Sequence, residues 1–175
     1  MLFLPLSGHP DSSIHPLQLN ISTAKNTYRI GDTIKFMLTF TNRTKEDRYI
    51  YFDGLYNAHL FNVTGKSGIK APFVGKVIYD VMWSKEHYKL IKSGGNFKCE
   101  IKAEVRKDKG IVIDFKDSLI EISHPGKYKI FVSYEGWDGI TTDKNGEQIE
   151  ISDFLGLKNV FTNELVSNTI LREIK

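Results

Sequence analysis

The stretch Phe97-Lys98-Cys99-Glu100-Ile101-Lys102-Ala103-Glu104-Val105-Arg106 alternates apolar and charged residues at every step. Successive side chains of a β-strand point to opposite faces, so this run predicts a strand with one face in a core and the other in water. Two other runs repeat the pattern. Ile34, Phe36, Leu38 and Phe40 alternate with Thr33, Lys35, Met37 and Thr39. Tyr128, Ile130, Val132 and Tyr134 alternate with Lys127, Lys129, Phe131 and Ser133. A one-residue slip in register would turn a whole apolar set into water, so register is strongly specified. Phe36, Leu38, Phe40, Phe97, Ile101, Tyr128, Ile130 and Val132 are expected to share one core.

Shorter apolar runs at 17–21, 49–52, 59–63, 77–82, 111–115 and 165–174 read as further strands. Gly31-Asp32, Asp53-Gly54, Gly94-Gly95, Pro125-Gly126 and Asn145-Gly146 fall between the runs. Gly and Asn accept positive φ and Pro presets a turn φ, so these pairs punctuate the chain. Short strands with turns at about 8–12-residue spacing predict an all-β, antiparallel two-layer sandwich of about seven to nine strands with little helix.

Composition agrees with one folded domain. The 175 residues are 41% hydrophobic and 12% aromatic, which excludes a disordered chain. A single cysteine, Cys99, excludes a disulfide framework. It lies on the apolar side of its strand, so a buried, unreactive thiol is expected. The formal net charge of +3 is too small to argue for nucleic acid, and no run of 18 apolar residues predicts a membrane span. Lys98, Lys102, Arg106, Lys107 and Lys109 are interrupted by Glu100 and Glu104 and read as a solvated strand face. Residues 1–16 read as a linker or the remnant of a secretion signal, and residues 17–175 as one sandwich domain. Asn20, Asn42 and Asn62 begin glycosylation triplets, which a Thr- and Asn-rich β protein also produces by chance.

Chemistry-bearing patterns are sparse. The five histidines form no H-x-H or H-x-x-x-H pair, and no Gly-x-Ser-x-Gly elbow, dinucleotide loop or Walker loop occurs. No catalytic residue, cofactor or metal ligand is assigned. The span 136–158 is acidic, Gly-rich and too long for a plain hairpin loop. Loops of that length in compact domains are often functional, so Trp137, Asp138, Asp143, Asn145 and Glu147 form the expected binding loop. Trp137 either anchors a partner or packs over the end of the core. Calcium takes six to eight oxygens, but the spacing around Asp143 departs from an EF-hand loop, which favours an acidic solvated hairpin. Residues 49–52 and 77–83 are apolar on both faces, so the long loop covers them or they form a patch.

Gly31-Asp32-Thr33, Phe40-Thr41-Asn42, Ser93-Gly94-Gly95, Pro125-Gly126-Lys127-Tyr128 and Ser167-Asn168-Thr169-Ile170 follow one another in an order that is familiar. It resembles bacterial immunoglobulin-like sandwich domains of exported proteins. It is also similar in layout to the non-catalytic β-sandwich region of deuterolysin-type metalloproteases. The resemblance covers residues 17–175, and its motifs mark turns and strand entries. The zinc motif of those proteases, His-Glu-x-x-His, is absent, so nothing catalytic carries over. In such a domain Tyr128 would tie a loop to a strand through its hydroxyl. The resemblance implies a non-enzymatic binding or structural module, exported to the periplasm, cell surface or medium. Such a module would recognise a protein or glycan through loops or a sheet edge, without nucleic acid; the alternative is a peptidase regulator or inhibitor.

Overall fold

The computed structural model describes residues 16–52, 58–75, 84–116 and 118–175. The linker and the strand expected at 77–82 lie outside the described residues. Fifteen strands are present among them: β1 (Leu17–Thr23), β2 (Thr27–Tyr28), β3 (Thr33–Asn42), β4 (Arg48–Tyr51), β5 (Phe61–Thr64), β6 (Phe73–Gly75), β7 (Tyr88–Ile91), β8 (Asn96–Lys107), β9 (Ile111–Asp114), β10 (Ser118–Glu121), β11 (Gly126–Glu135), β12 (Ile140–Thr142), β13 (Gln148–Glu150), β14 (Glu164–Val166) and β15 (Ile170–Ile174). One short helix, α1 (Ile151–Phe154), follows β13. The fold is the expected antiparallel sandwich, with its framework divided into more and shorter strands than the apolar runs suggest.

One sheet runs in the order β1-β3-β8-β9-β10-β6. In the other, β11 pairs with β5, with β15 and with β14, and β2 lies parallel to β15. The register of β3 on β8 places Phe36 opposite Ile101, Leu38 opposite Cys99 and Phe40 opposite Phe97. All inward residues of β3 therefore face the same way as those of β8, as the alternation requires.

The core lies between the sheets. Phe36, Leu38, Phe40, Ile130 and Val132 are fully buried, and Tyr128 is buried. Rings join the layers: Phe36 meets Phe61 at 4.7 Å, and Phe40 meets Tyr134 edge-on at 5.1 Å. Phe97 and Ile101 pack against this core but are only half-buried. The strand β8 is twelve residues long while β5 has four, and Phe97 meets the rings of Phe40 and Phe52.

Cys99 is half-buried rather than buried. Burial nonetheless pushes its thiol up to about 12. The reactive thiolate is thus suppressed at neutral pH. The linkage has a definite sign. Above the ordinary thiol range the unfolded chain loses this proton while the native chain keeps it, so native stability falls as pH rises from about 9 toward 12. The urea midpoint of the native protein should drop between pH 8 and pH 10.5, and by less in Cys99→Ala. Equal drops in the two proteins would contradict the assignment.

Side chains close the seam between sheets. The amide of Asn168 donates to Ile21 O and accepts from Ile21 N, reproducing a ladder step with β1. Ser167 Oγ accepts from Val132 N. In the Ser-Asn pair read in the sequence as a strand entry, Asn168 is therefore a stitch between layers, and Ser167 holds the β14–β15 link to β11 of its own sheet.

Candidate functional site

The long loop leaves the C-terminal end of β11 and folds on itself. The strands β12 and β13 form an antiparallel ribbon, and α1 follows. Asp143 Oδ1 accepts from the backbone N–H of Asn145 and of Glu147, at 2.8 and 2.9 Å. Asp143 Oδ2 accepts from the Asn145 amide. Gly146 at φ +83° completes the turn, a conformation glycine adopts without a steric penalty. Asp138 Oδ1 accepts from Ser152 N at the start of α1. Asn145 and Glu147 are exposed. Of the five loop residues singled out in the sequence, Asp138, Asp143 and Asn145 thus shape the loop's own backbone.

Trp137 is 38% exposed and meets the Tyr51 ring at 5.4 Å, 65° from parallel. Its indole lies against Gly139, where a Cβ would come within 2.3 Å of the ring. Tyr51 also packs edge-on against Tyr88, whose hydroxyl is buried without a hydrogen-bond partner. Desolvation there raises the Tyr88 pKa, with a smaller contribution from the Asp138 charge. The loop and the segment after it cover the strand whose two apolar faces stood out in the sequence. Trp137 packs on Tyr51, Tyr49 N–H donates to Asn159 O, and Phe161 N–H donates to Tyr49 O.

A different site forms at the other end of β11, ten residues or about 33 Å away. A cleft of about 680 Å³ opens there between the β5–β6 connection and the β10–β11 turn. Lys66, Ile69, Lys70, Glu121, His124 and Lys127 line it. Its floor is set by Tyr128, which is 7% exposed. The Tyr128 hydroxyl donates to Ile122 O at 2.7 Å and also to His124 O, tying the turn to the strand as expected. Burial raises this phenol's pKa. The opposite wall is fixed by Ala71 N–H donating to Val63 O and Gly68 N–H to Gly65 O.

The β8–β9 turn abuts the same rim. A Cβ on Gly110 would lie 3.4 Å from Ser123 Cα. This places the β8–β9 turn beside the cleft wall at residues 121–128. Among the described residues Lys66, Lys70 and Lys127 are in no ion pair. The loop 136–158 at the far end carries Asp138, Asp143, Glu147, Glu150 and Asp153 against Lys144 and Lys158.

Two of the glycosylation triplets are closed by the fold. Asn42 is fully buried, its amide donating to Ile91 O and Glu46 O. Asn62 is 9% exposed and its amide donates to Leu60 O and Ser133 Oγ. A glycan on either nitrogen is incompatible with those bonds. Asn20 lies half-buried on β1.

No protein-family description and no curated protein matches the sequence. Among solved structures, the chain is similar to Pseudomonas fluorescens alkylpurine DNA glycosylase AlkC bound to DNA containing an abasic site analog. The TM-score is 0.42 and the identity 9%, over 91% of this chain and 30% of that one. The expectations of a protein- or glycan-binding module, of a peptidase regulator and of a chain without nucleic-acid partners are corrected at this point. The structure found in the comparison is a DNA-bound enzyme, not a module of the expected kind. At that TM-score the likeness carries no argument about what this chain itself binds.

Proposed function

We propose that this chain is an immunoglobulin-like sandwich that binds anions in the cleft at the N-terminal end of β11. The topology supports the first half. Strands β1, β3 and β8 pair in one sheet, and β5, β11 and β15 pair in the other. Tyr128 makes a tyrosine corner at the start of β11, a feature of such sandwiches.

The observation that carries the second half is the set Lys66, Lys70 and Lys127 around one cleft, in no ion pair among the described residues, with Glu121 as the opposing carboxylate. Clefts lined by one sign of charge concentrate field lines and raise the local concentration of counter-ions. Hydrogen bonds on both walls fix the backbone of the segments that carry these lysines. The affinity should be electrostatic and should weaken with salt. Calorimetric titration of the whole chain with inorganic tripolyphosphate at low salt should give saturable binding. Lys66→Glu with Lys70→Glu should weaken it by about tenfold or more, equivalent to about 1.4 kcal/mol. Unchanged affinity in that variant, or no binding to the native chain, would refute the reading.

A further inference from the structure

We infer that the rings of Tyr51, Tyr88 and Trp137, with the Asp138 carboxylate, form a site for a choline-type cation, a trimethylammonium group that carries an alcohol. The site stands at the root of the long loop, at the opposite end of β11 from the anion cleft, and is independent of that reading. The fold prepares each wall. Tyr51 and Tyr88 are directly opposed in the pairing of β4 with β7. The Tyr134 hydroxyl holds the Tyr51 backbone by donating to Tyr51 O at 2.7 Å. Gly139 admits the Trp137 indole, because a Cβ there would overlap it. The Tyr51 ring lies 75° from that of Tyr88 and 65° from that of Trp137. Rings at such angles are not stacked face to face, and a ring face attracts cations. Trp137 is exposed while Tyr51 and Asp138 are half-buried, so the cluster opens to solvent.

Two polar groups of the cluster lack a partner suited to their chemistry. Asp138 accepts from Ser152 N through Oδ1, and among the described residues it is in no ion pair. A carboxylate drawn partly out of water favours a cationic neighbour. Tyr88 is 5% exposed and its hydroxyl makes no hydrogen bond. It lies near enough for the Asp138 charge to disfavour its ionisation. Buried hydroxyls are paired in most folded proteins, and an exception calls for an explanation such as a bound group.

The groups present select the cation. Calcium needs about six to eight oxygens, and transition metals need imidazole or thiolate. No group of three His, Cys, Asp or Glu able to hold a metal stands among the described residues. A primary ammonium presents three N–H donors, each of which needs an acceptor once out of water. This cluster offers one carboxylate and several ring faces. A trimethylammonium group has no N–H, so ring faces and one negative charge satisfy it. The alcohol beside it gives the Tyr88 hydroxyl a partner.

The test is a titration of choline chloride into the full ¹⁵N-labelled chain at constant ionic strength, followed by amide and indole N–H spectra. Saturable shifts are expected at the Trp137 indole and at Ser152 N–H, which reports on Asp138. Asp138→Asn keeps an oxygen for Ser152 N and removes the charge; it should weaken choline binding about tenfold. The neutral dimethylbutanol isostere, in which carbon replaces the charged nitrogen, should bind the native chain about tenfold more weakly than choline. Tyr88→Phe should abolish the preference for choline over tetramethylammonium. It should melt no lower than the native chain, because it removes an unpaired buried hydroxyl. Glycerophosphocholine distinguishes the sources of the group: binding equal to that of choline assigns a headgroup, and its exclusion assigns free choline.

Absence of saturable shifts at Trp137 and Ser152 overturns the site. Equal binding of choline and its neutral isostere overturns it as well, and this comparison needs no variant. Ethanolamine bound as tightly as choline overturns the methylated ammonium. Unchanged choline affinity in a folded Asp138→Asn protein removes the carboxylate from the site and overturns the proposal.

Discussion

Phe36→Asp is expected to abolish the cooperative thermal transition of the protein. Phe36 is fully buried on β3 and its ring meets Phe61 across the core and Phe115 beside it. Truncating such a ring to alanine costs about 3–5 kcal/mol through lost transfer energy and the cavity left behind. Aspartate adds a carboxylate with no partner in an apolar site, and stabilities of domains this size are only about 5–15 kcal/mol. Differential scanning calorimetry would show no transition in a soluble sample, or the chain would be recovered aggregated. A soluble Phe36→Asp protein melting cooperatively near the native temperature would mean that Phe36 does not sit between two sheets.

Asn42→Ala is expected to lower stability by about 2–4 kcal/mol, the cost of stranding several buried polar groups at once. The amide nitrogen of Asn42 serves Ile91 O and Glu46 O, and its oxygen accepts from the N–H and hydroxyl of Thr44. It thereby fixes the turn after β3 to the end of β7. Asn42→Asp should be at least as damaging, since a carboxylate cannot donate to either carbonyl. Urea midpoints at constant slope measure both losses. A shift of less than about 0.5 kcal/mol would place Asn42 among ordinary surface positions.

The fold was legible in the sequence where the alternation was long. The runs on β3, β8 and β11 each extend over ten residues or more, and a period of two has one physical meaning at that length. Tyr128 two residues past the Pro125-Gly126 turn was legible for the same reason, because a buried phenol demands an acceptor. The half-exposure of Phe97, Cys99 and Ile101 was not, since alternation marks the inward face but not how much of it the opposite layer covers. The span 136–158 reads as loop because its strand segments are three residues each, too short to show a period.

The basic cleft was invisible for a topological reason. Lys66 and Lys70 lie in the β5–β6 connection and Lys127 at the start of β11, far from them in the chain, and no local spacing connects the two places. Antiparallel strands send every second connection to the same end of a sandwich, and that alternation gathers them. A signal was available in the charges sorted by connection. The acidic residues concentrate in 136–158, so the remaining turns are more basic than the total of +3 suggests. Two of the carboxylates that drew attention to the loop, Asp138 and Asp143, are explained locally, as acceptors for its own backbone.

The central claim is that the lysine-lined cleft, not the acidic loop, is the anion-binding surface. Titration of tripolyphosphate into the ¹⁵N-labelled chain, followed by amide correlation spectra, tests it most directly. The account predicts saturable shifts at residues 65–71 and 123–128, and none at 143–147. Shifts confined to 143–147, or scattered over the surface without saturation, would contradict it.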